Sequence, residues 1–257
     1  MNAWPSYPDL AGKVAVVTGG SGGIGAATCL ALAANGVKVV VSGRNSGAIE
    51  AVAQDIRQHG GTASGCAADC TRDEELRALH LHAEQAFGPA DIVLAFAGGG
   101  IARPQPVQDV PERDWHSVMD GNLTATYLTL RAFLPRMIER RAGAIVTMAS
   151  TAARLPSKSP APYAAAKAGI IMLTRHLAAE AGPQGVRVNC LAPSAILTER
   201  TRRHIDGEQQ RQIAALHPLG RLGQPEDVAL AALFLVSASA SWLTGLVLDV
   251  AGGRVMV

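Results

Sequence analysis

Short runs of apolar, mostly β-branched residues alternate along the chain with longer stretches in which apolar residues recur at helical spacing. The short runs predict strands at residues 14–18, 37–42, 62–67, 91–96, 144–149, 186–191 and 246–250. The longer stretches predict helices at residues 23–34, 47–59, 73–87, 112–140, 162–181 and 225–237. Strand–helix–strand units with right-handed crossovers build a parallel sheet with helices on both faces. The pattern therefore predicts an α/β fold with a doubly wound, seven-stranded parallel sheet.

Two segments interrupt this alternation and are predicted to be functional loops. Residues 98–106 follow the fourth strand, and residues 194–217 follow the sixth. In open α/β sheets the ligand crevice lies outside the carboxyl ends of the strands, where both segments begin. We therefore expect 194–217 to be a substrate loop. Within the predicted helix 112–140, Pro135 is expected to kink the helix or to end its regular part.

A glycine-rich run joins the first predicted strand to the first helix, with the sequence Thr-Gly-Gly-Ser-Gly-Gly-Ile-Gly at residues 18–25. Glycines allow a pyrophosphate to approach the backbone, and the N–H groups at a helix N-terminus attract anions. The run is the dinucleotide-binding fingerprint in the context that it requires, which makes the fold Rossmann-type. A register of Gly19, Gly23 and Gly25 and a second one of Gly19, Gly22 and Gly25 both fit, and a plain glycine-rich turn is the alternative.

Composition narrows the class of protein further. A chain of 257 residues with 48% hydrophobic and 17% charged residues is typical of a sheet buried on both faces, and we expect one domain over residues 1–257. A net charge of +2 gives no concentrated basic footprint for nucleic acid. The apolar runs are too short to span a membrane, and the first residues do not resemble a secretory signal, so we expect a cytoplasmic protein.

The sulfur and imidazole groups do not form a metal-binding pattern. Cys66 and Cys70 are four residues apart without a second pair nearby, and His80 and His82 point to different faces of one predicted helix. We expect free, mostly buried thiols and no metal site.

The candidate chemistry begins with Tyr163 and Lys167, which lie four residues apart in a predicted helix and so share one face. A nearby ammonium stabilises a phenolate and is expected to lower the phenol pKa, which makes the pair a candidate general acid/base. Ser150 follows the fifth strand at the same sheet edge, and Asn122 lies in the long helix beside it. The alternatives are a strand-end hydroxyl for Ser150 and a helix-interior amide for Asn122.

Together these features resemble the short-chain dehydrogenases/reductases of about 250 residues, including the 3-oxoacyl-(acyl-carrier-protein) reductases, over nearly the whole chain. The residues that carry the resemblance are Gly19, Gly23, Gly25, Asp69, Asn122, Ser150, Tyr163, Lys167, the segment 185–189 leading to Pro193 and Thr198, the segment 220–227, Thr244-Gly245 and the segment 249–253.

The resemblance implies an oxidoreductase that transfers hydride between a nicotinamide and a ketone or secondary alcohol. It implies that Ser150 holds the carbonyl, Tyr163 passes a proton, Lys167 lowers the tyrosine pKa and binds the nicotinamide ribose, and Asn122 holds a water relay. The cofactor-binding residues that it implies are Gly19, Ser21, Gly23, Ile24, Gly25, Asp69, Ala97, Gly98, Tyr163, Lys167, Pro193, Ile196 and Thr198. Some relatives bind a nicotinamide nucleotide as sensors or scaffolds without turnover, and they usually lose the Tyr or Lys that this chain keeps.

The chain departs from the family pattern at two places. Residues 95–98 read Ala-Phe-Ala-Gly where relatives usually have an asparagine, and Ser194 replaces the usual glycine after Pro193. Both departures are expected to reshape the cleft near the nicotinamide.

The end of the second strand indicates which cofactor is bound. Gly43 offers no carboxylate to a ribose 2′-hydroxyl, whereas Arg44 places a guanidinium where a 2′-phosphate would lie. We therefore predict NADP(H), with a solvated loop arginine as the alternative.

Arginines on three predicted loops lead to a hypothesis about the substrate. Arg103, Arg154 and the group Arg200, Arg202 and Arg203 favour an anionic ketone or a 3-oxoacyl thioester, and ordinary surface arginines are the alternative. The apolar tail 242–257 is typical of the family's tetramers, so a homotetramer is expected, and the tail could equally be internal core.

Overall fold

The structure is a computed structural model that describes residues 4–99, 104–203 and 205–256. Its seven strands form one parallel sheet in the order β3-β2-β1-β4-β5-β6-β7. The strands are β1 (Val14–Thr18), β2 (Lys38–Gly43), β3 (Thr62–Ala67), β4 (Ile92–Ala95), β5 (Gly143–Met148), β6 (Val186–Pro193) and β7 (Val247–Val250). The predicted doubly wound sheet is confirmed, and its order reverses direction at β1, beside which nucleotides bind in such folds.

The described helices are α1 (Gly23–Ala34), α2 (Ser46–Gln58), α3 (Asp73–Phe87), α4 (Glu112–Met119), α5 (Ala125–Arg140), α6 (Ala161–Ala181), α7 (Glu199–Arg202), α8 (Gly207–Ala214) and α9 (Pro225–Val236). None of them is long and apolar enough to cross a membrane.

Successive strand residues feed two different cores, because side chains alternate between the faces of a sheet. Val17 and Val41 belong to the core that also contains Leu32 of α1 and Leu233 of α9. On the opposite face, a second core holds residues of β1, α3 and α5, including Val16, Leu79 and Phe133. Burial on both faces explains why the inner strands β1 and β4 are almost continuously apolar.

The predicted helix 112–140 is not one continuous helix. A π-helical turn at Asp120–Thr124 separates α4 from α5, and Asn122 lies in that turn. Pro135, by contrast, lies inside α5, which continues to Arg140. Its neighbours Phe133 and Met137 are fully buried, and this packing offsets a proline penalty of about 3 kcal/mol. Of the two expected effects of Pro135, an end to the regular helix is contradicted, and a kink stays a prediction.

Candidate functional site

The turn between β1 and α1 has little room for side chains at two of its glycines. Gly19 has a φ of 69°, and a Cβ there would lie 2.9 Å from the backbone carbonyl of Phe96. A Cβ at Gly25 would overlap the carbonyl oxygen of Gly19. These contacts leave no room for a side chain at Gly19 or Gly25.

The same contacts distinguish the two glycine registers. Gly23 has a φ of 51°, and a Cβ there would lie 3.0 Å from Thr198 Cγ2 in the substrate loop. A Cβ at Gly22 would meet no atom within 4 Å. The backbone therefore requires glycine at Gly19, Gly23 and Gly25 more strictly than at Gly22, which favours the first register. The turn fits a dinucleotide pyrophosphate, because the backbone lies open where side chains would block it.

At the carboxyl end of β2, Gly43 has no room for a side chain, and the next residue, Arg44, is exposed. A Cβ at Gly43 would lie 2.9 Å from Ser21 Oγ, so Ser21 fills the space that an acidic side chain would need. Arg44 is exposed beside it. Hydrogen bonds from the N–H and hydroxyl of Thr71 hold the pKa of Asp69 below its usual range, and the charge of Arg44 acts in the same direction. Arg44 therefore lies close to Asp69.

Ser150 and Tyr163 meet at the carboxyl end of β5. Ser150 begins a short turn at Thr151–Ala153 and accepts a hydrogen bond from the N–H of Ala152, at 3.2 Å. Its hydroxyl also lies beside the half-buried phenol of Tyr163, on the first turn of α6, where it acts to lower the pKa of that phenol. The structure thus brings together a hydroxyl and a phenol that are thirteen positions apart in the sequence.

Lys167 lies one turn further along α6 and is almost fully buried. Its Nζ donates a hydrogen bond of 2.9 Å to the carbonyl of Met148 and lies 5.5 Å from the centre of the Tyr163 ring. Burial lowers the pKa of Lys167 to about 8, because the ammonium has lost most of its water.

The pKa of Tyr163 is raised, which differs from the expectation drawn from the sequence. Burial of the phenol is the largest effect, and the hydroxyl of Ser150 and the positive charge of Arg200 oppose it without cancelling it. The expected lowering by the ammonium of Lys167 is therefore not the dominant effect in this structure. The phenol stays protonated at neutral pH and can donate a proton.

Asn122 is fully buried in the π-helical turn, and its amide is held at several points. Its Nδ2 donates to the carbonyls of Gly99 at 2.9 Å and Val118 at 2.8 Å, and its Oδ1 accepts from the N–H of Gly99 at 3.1 Å. A Cβ at Gly98 would lie 2.8 Å from Asn122 Oδ1 and 3.2 Å from Lys167 Nζ. Gly98 therefore lets the strand end pass directly over both side chains.

The remaining residues expected at the cofactor lie on the neighbouring strand ends. Ala97 donates its N–H to Thr18 Oγ1 at 3.3 Å, which supplies a backbone contact at the segment where the family asparagine is missing. Pro193 ends β6, and Ile196 pairs with Gly223 in an isolated bridge. Thr198 caps α7 by accepting a hydrogen bond of 3.2 Å from the N–H of Thr201.

The arginines expected at the cleft mouth have different surroundings. Arg154 forms a two-point ion pair with Asp249 of β7, at 3.1 and 3.2 Å, with 16% and 13% of the two side chains exposed. Arg203 pairs with Glu199 at the surface, and Arg103 lies outside the described residues. Arg200 lies near Asn122, because a Cβ at Gly99 would lie 3.0 Å from Arg200 Nη1 and Gly99 is hydrogen-bonded to Asn122. The expectation that Arg154 faces a substrate is therefore corrected.

One polar contact was not predicted from the sequence. His217 is almost fully buried, and its Nε2 lies 2.9 Å from Ser194 Oγ while its Nδ1 lies 2.8 Å from the carbonyl oxygen of Ile213. Ser194 departs from the family pattern, but nothing in the sequence indicates His217 as its partner. The contact joins the two ends of the substrate loop.

One edge of the doubly wound sheet carries both the glycine turn and the group of Ser150, Tyr163 and Lys167. This combination is typical of a class of nicotinamide-dependent oxidoreductases. The family model described as Enoyl-(Acyl carrier protein) reductase matches residues 19–254. The 7alpha-hydroxysteroid dehydrogenase of Escherichia coli K12 is 38% identical over 246 residues, or 96% of this chain and 95% of that enzyme. The 3-oxoacyl-(acyl-carrier-protein) reductase FabG of Chlamydia muridarum is 38% identical over 245 residues, or 95% of this chain and 98% of that enzyme.

A solved structure gives the same result. A 7 alpha-hydroxysteroid dehydrogenase complexed with NADH and 7-oxo glycochenodeoxycholic acid matches with a TM-score of 0.92 and 37% identity, covering 98% of this chain and 97% of that one. The chain belongs to the short-chain dehydrogenase/reductase family of oxidoreductases.

Proposed function

We propose that the protein is an NADP(H)-dependent oxidoreductase that reduces a ketone to a secondary alcohol, with the reverse oxidation at higher pH. The observation that supports this most directly is the group of Ser150, Tyr163 and Lys167 at one strand end, where the buried Nζ of Lys167 lies 5.5 Å from the centre of the Tyr163 ring. A nicotinamide, when bound, supplies or accepts the hydride, and the protein supplies position and proton transfer.

Each side chain of the group has a separate role in this proposal. Ser150 holds the carbonyl oxygen, and Tyr163 gives that oxygen a proton. Lys167 holds the nicotinamide ribose and provides positive charge next to the phenol. Asn122 fixes Gly98 and Gly99 over Lys167 and holds the water that returns a proton to the site.

The raised pKa of Tyr163 favours reduction at neutral pH. A phenol whose pKa lies above its usual value is protonated at pH 7, so it is ready to act as an acid. Oxidation of an alcohol needs the phenolate, whose fraction grows as the pH rises. The optimum for oxidation is therefore expected at higher pH than that for reduction.

A panel of ketones and secondary alcohols, run with both NADPH and NADH, tests the proposal. We expect NADPH consumption with at least one ketone, and this activity separates an enzyme from a nucleotide-binding sensor of the same fold. Tight NADPH binding without turnover of any substrate would support the sensor instead.

We propose that Arg44 selects NADP(H). The observations that support this are the exposed guanidinium of Arg44 beside the acidic Asp69 and the space at Gly43 that Ser21 occupies. The E. coli K12 enzyme is a relative, and the structure of a 7 alpha-hydroxysteroid dehydrogenase holds NADH. Cofactor preference must therefore be measured on this chain.

For this preference we expect kcat/KM with NADPH to exceed that with NADH by about 10- to 100-fold, the range of one charge-assisted bidentate pair. Arg44→Ala should remove most of the difference by raising KM for NADPH. Arg57→Ala, at an exposed arginine of α2 paired with Glu50, is the matched control and should change neither value. Equal efficiency with both cofactors in the unmodified protein contradicts the assignment.

The substrate class is proposed from relatives and from the site. The relatives include hydroxysteroid dehydrogenases and 3-oxoacyl-(acyl-carrier-protein) reductases. A 3-oxoacyl thioester and a ring ketone both belong in the panel, because a Ser–Tyr pair requires only a carbonyl that reaches both hydroxyls.

We also propose that the protein assembles as a homotetramer. Trp242 is 98% exposed near β7, which lies at the edge of the sheet, and Met172 of α6 is 51% exposed. Trp115 and Tyr127 are exposed on α4 and α5. Large exposed apolar side chains on two faces are typical of surfaces that other chains cover.

In sedimentation velocity we expect a mass four times that of one chain. Met172→Arg or Trp115→Arg should lower this mass, because each places a charge in an apolar contact. Leu81→Arg, at an exposed position of α3, is the control and should leave the mass unchanged. A monomer in all samples contradicts the assembly.

A further inference from the structure

We propose that His217 is a positioning residue for the nicotinamide half of the cofactor, and that it acts through the hydroxyl of Ser194. Ser194 begins the segment 194–198, which leads from the carboxyl end of β6 to the N-terminus of α1. The inference rests on the proposed function and deepens it, because it names a residue outside the catalytic group on which placement of the nicotinamide depends.

The first observation is where the segment 194–198 lies. β6 pairs with β5 as far as Leu191, so the end of β6 lies beside Ser150. At the other end of the segment, a Cβ at Gly23 would lie 3.0 Å from Thr198 Cγ2. Hydride transfer requires the nicotinamide to lie near the catalytic group, while the glycine turn fits the pyrophosphate. The segment therefore borders the space between these two places, where the nicotinamide half belongs.

The second observation is that the middle of the segment is fixed to Gly223. The N–H of Gly223 donates to the carbonyl of Ala195 at 3.0 Å, and the N–H of Leu197 donates to the carbonyl of Gly223 at 2.8 Å. A Cβ at Gly223 would lie only 2.4 Å from Ile196 Cδ1, so the two residues are in close contact. A displacement at the start of the segment is therefore passed on to its middle.

The third observation is how the ring of His217 is oriented. The ring is almost fully buried, and its Nδ1 lies 2.8 Å from the carbonyl oxygen of Ile213 in α8. A carbonyl oxygen can only accept, so Nδ1 carries the hydrogen. In the neutral imidazole Nε2 then accepts the hydroxyl hydrogen of Ser194, at 2.9 Å. α8 thus fixes the ring, and the ring fixes the hydroxyl.

Packing alone does not hold the start of the segment in place. A cavity of about 350 Å³ adjoins the pair and is lined by Ser194, His217 and Gly252 among other residues. Atoms that border a cavity lack packing partners on that side. The position of Ser194 therefore depends on hydrogen bonds, from its N–H to the carbonyl of Val250 at 3.1 Å and from its hydroxyl to His217. Without the second bond, the segment 194–198 is free to shift, and a buried ring nitrogen loses its partner.

The experiment compares two ligands that differ only in the nicotinamide. NADPH contains this ring, and 2′-phospho-ADP-ribose is the same molecule without it. In Ser194→Ala and in His217→Asn we expect the Kd for NADPH, measured by calorimetry, to rise about 3- to 10-fold, the range for one lost hydrogen bond. The Kd for 2′-phospho-ADP-ribose should stay the same. NADH and ADP-ribose give the same comparison if the chain prefers NADH.

Two further variants separate the contact from general packing of the ring. The amide of glutamine reaches the position of Nε2, whereas that of asparagine reaches only the position of Nδ1. His217→Gln should therefore retain most of the affinity for NADPH that His217→Asn loses. The double variant of Ser194→Ala and His217→Asn should lose no more than either single variant, because both remove one contact. At saturating NADPH, the nicotinamide fluorescence of His217→Asn should differ from that of the unmodified protein.

The chain offers a matched control in a second serine–histidine contact. Ser64 Oγ of β3 lies 2.8 Å from His82 Nε2 of α3, and β3 is at the opposite edge of the sheet from β7. Ser64→Ala and His82→Asn should change neither Kd. The thermal unfolding of every variant should be recorded, so that a folding defect is recognised.

Several outcomes overturn the inference. Equal weakening of NADPH and 2′-phospho-ADP-ribose, or an equal loss in His217→Gln and His217→Asn, means that the pair only supports the fold. An unchanged Kd for NADPH in both Ser194→Ala and His217→Asn removes the role of the pair. These results leave the proposed oxidoreductase function intact. If the unmodified protein binds neither NADPH nor NADH, the proposed function and this inference both fail.

Discussion

Replacing Tyr163 with phenylalanine is expected to lower kcat/KM for ketone reduction by about 10²- to 10⁴-fold, the usual contribution of a positioned general acid. Phe keeps the ring packed beside Lys167 and Ser150 and removes only the hydroxyl that carries the proton. The Kd for NADPH, measured by fluorescence titration, should therefore remain near that of the unmodified protein.

The matched control is Tyr127→Phe, on α5. Tyr127 is 46% exposed, and its ring contacts Arg131, so loss of its hydroxyl should leave turnover unchanged. The thermal unfolding of both variants should be recorded, so that a folding defect is distinguished from a chemical one. A Tyr163→Phe protein that is folded and fully active would remove Tyr163 from the reaction.

Replacing Lys167 with methionine is expected to abolish most turnover and to weaken NADPH binding, while making the protein more stable at pH 7. A pKa lowered by burial to about 8 implies that the folded state carries the ammonium at a cost of about 3 kcal/mol. Removing the ammonium removes this cost, but it also removes the hydrogen bond to the carbonyl of Met148. The unpaired buried carbonyl lowers the free energy of unfolding by about 1–2 kcal/mol. The net increase in the free energy of unfolding should be about 1–2 kcal/mol.

The stability advantage of Lys167→Met should disappear as the pH rises. Between about pH 8 and the ordinary lysine value of 10.5, the unfolded chain still binds a proton that the folded chain has released. The free energy of unfolding of the unmodified protein therefore increases as the pH rises over that range. Burial raises the pKa of both Cys190 and Tyr163, which adjoin Lys167, so thiol and phenol are neutral at pH 7, where the two proteins are first compared.

Guanidinium unfolding at pH 7 and pH 10 measures the difference between the two proteins. Lys158→Met is the control, because Lys158 is exposed and its loss should leave stability almost unchanged at both pH values. If Lys167→Met is less stable than the unmodified protein at pH 7, the ammonium stabilises the fold and its burial is not costly.

The sheet was predictable because its signals are local. Runs such as residues 14–18 and 62–67 match β1 and β3 as predicted, and the glycine turn sets the start of α1 at Gly23. The break in the long helix was not predictable, because π-helical geometry at Asn122 depends on amide contacts with Gly99, twenty-three residues away. The helix continues past Pro135 because packing around Phe133 and Met137 outweighs the local preference of proline.

The sequence predicts which residues form the candidate site better than it predicts the directions of their pKa shifts. Spacing predicts the pair of Tyr163 and Lys167, the end of the fifth strand predicts Ser150, and the structure places the three residues at one strand end. The direction of the Tyr163 pKa depends on burial by surrounding elements, which the sequence does not give. Which arginine faces the cleft depends likewise on distant partners: Arg154 meets an aspartate ninety-five residues later.

The contact between Ser194 and His217 determines how the substrate loop can move. It ties Ser194, the first residue after β6, to His217, the last residue of the substrate loop, and the bridge between Ile196 and Gly223 holds the same end of the loop together. Any opening of the cleft must therefore take place beyond these two contacts, with the base of the loop fixed to the sheet. Insertions or substitutions between Ser194 and His217 would change the loop while leaving these two contacts in place. The segment is therefore suited to changing the substrate specificity of the protein.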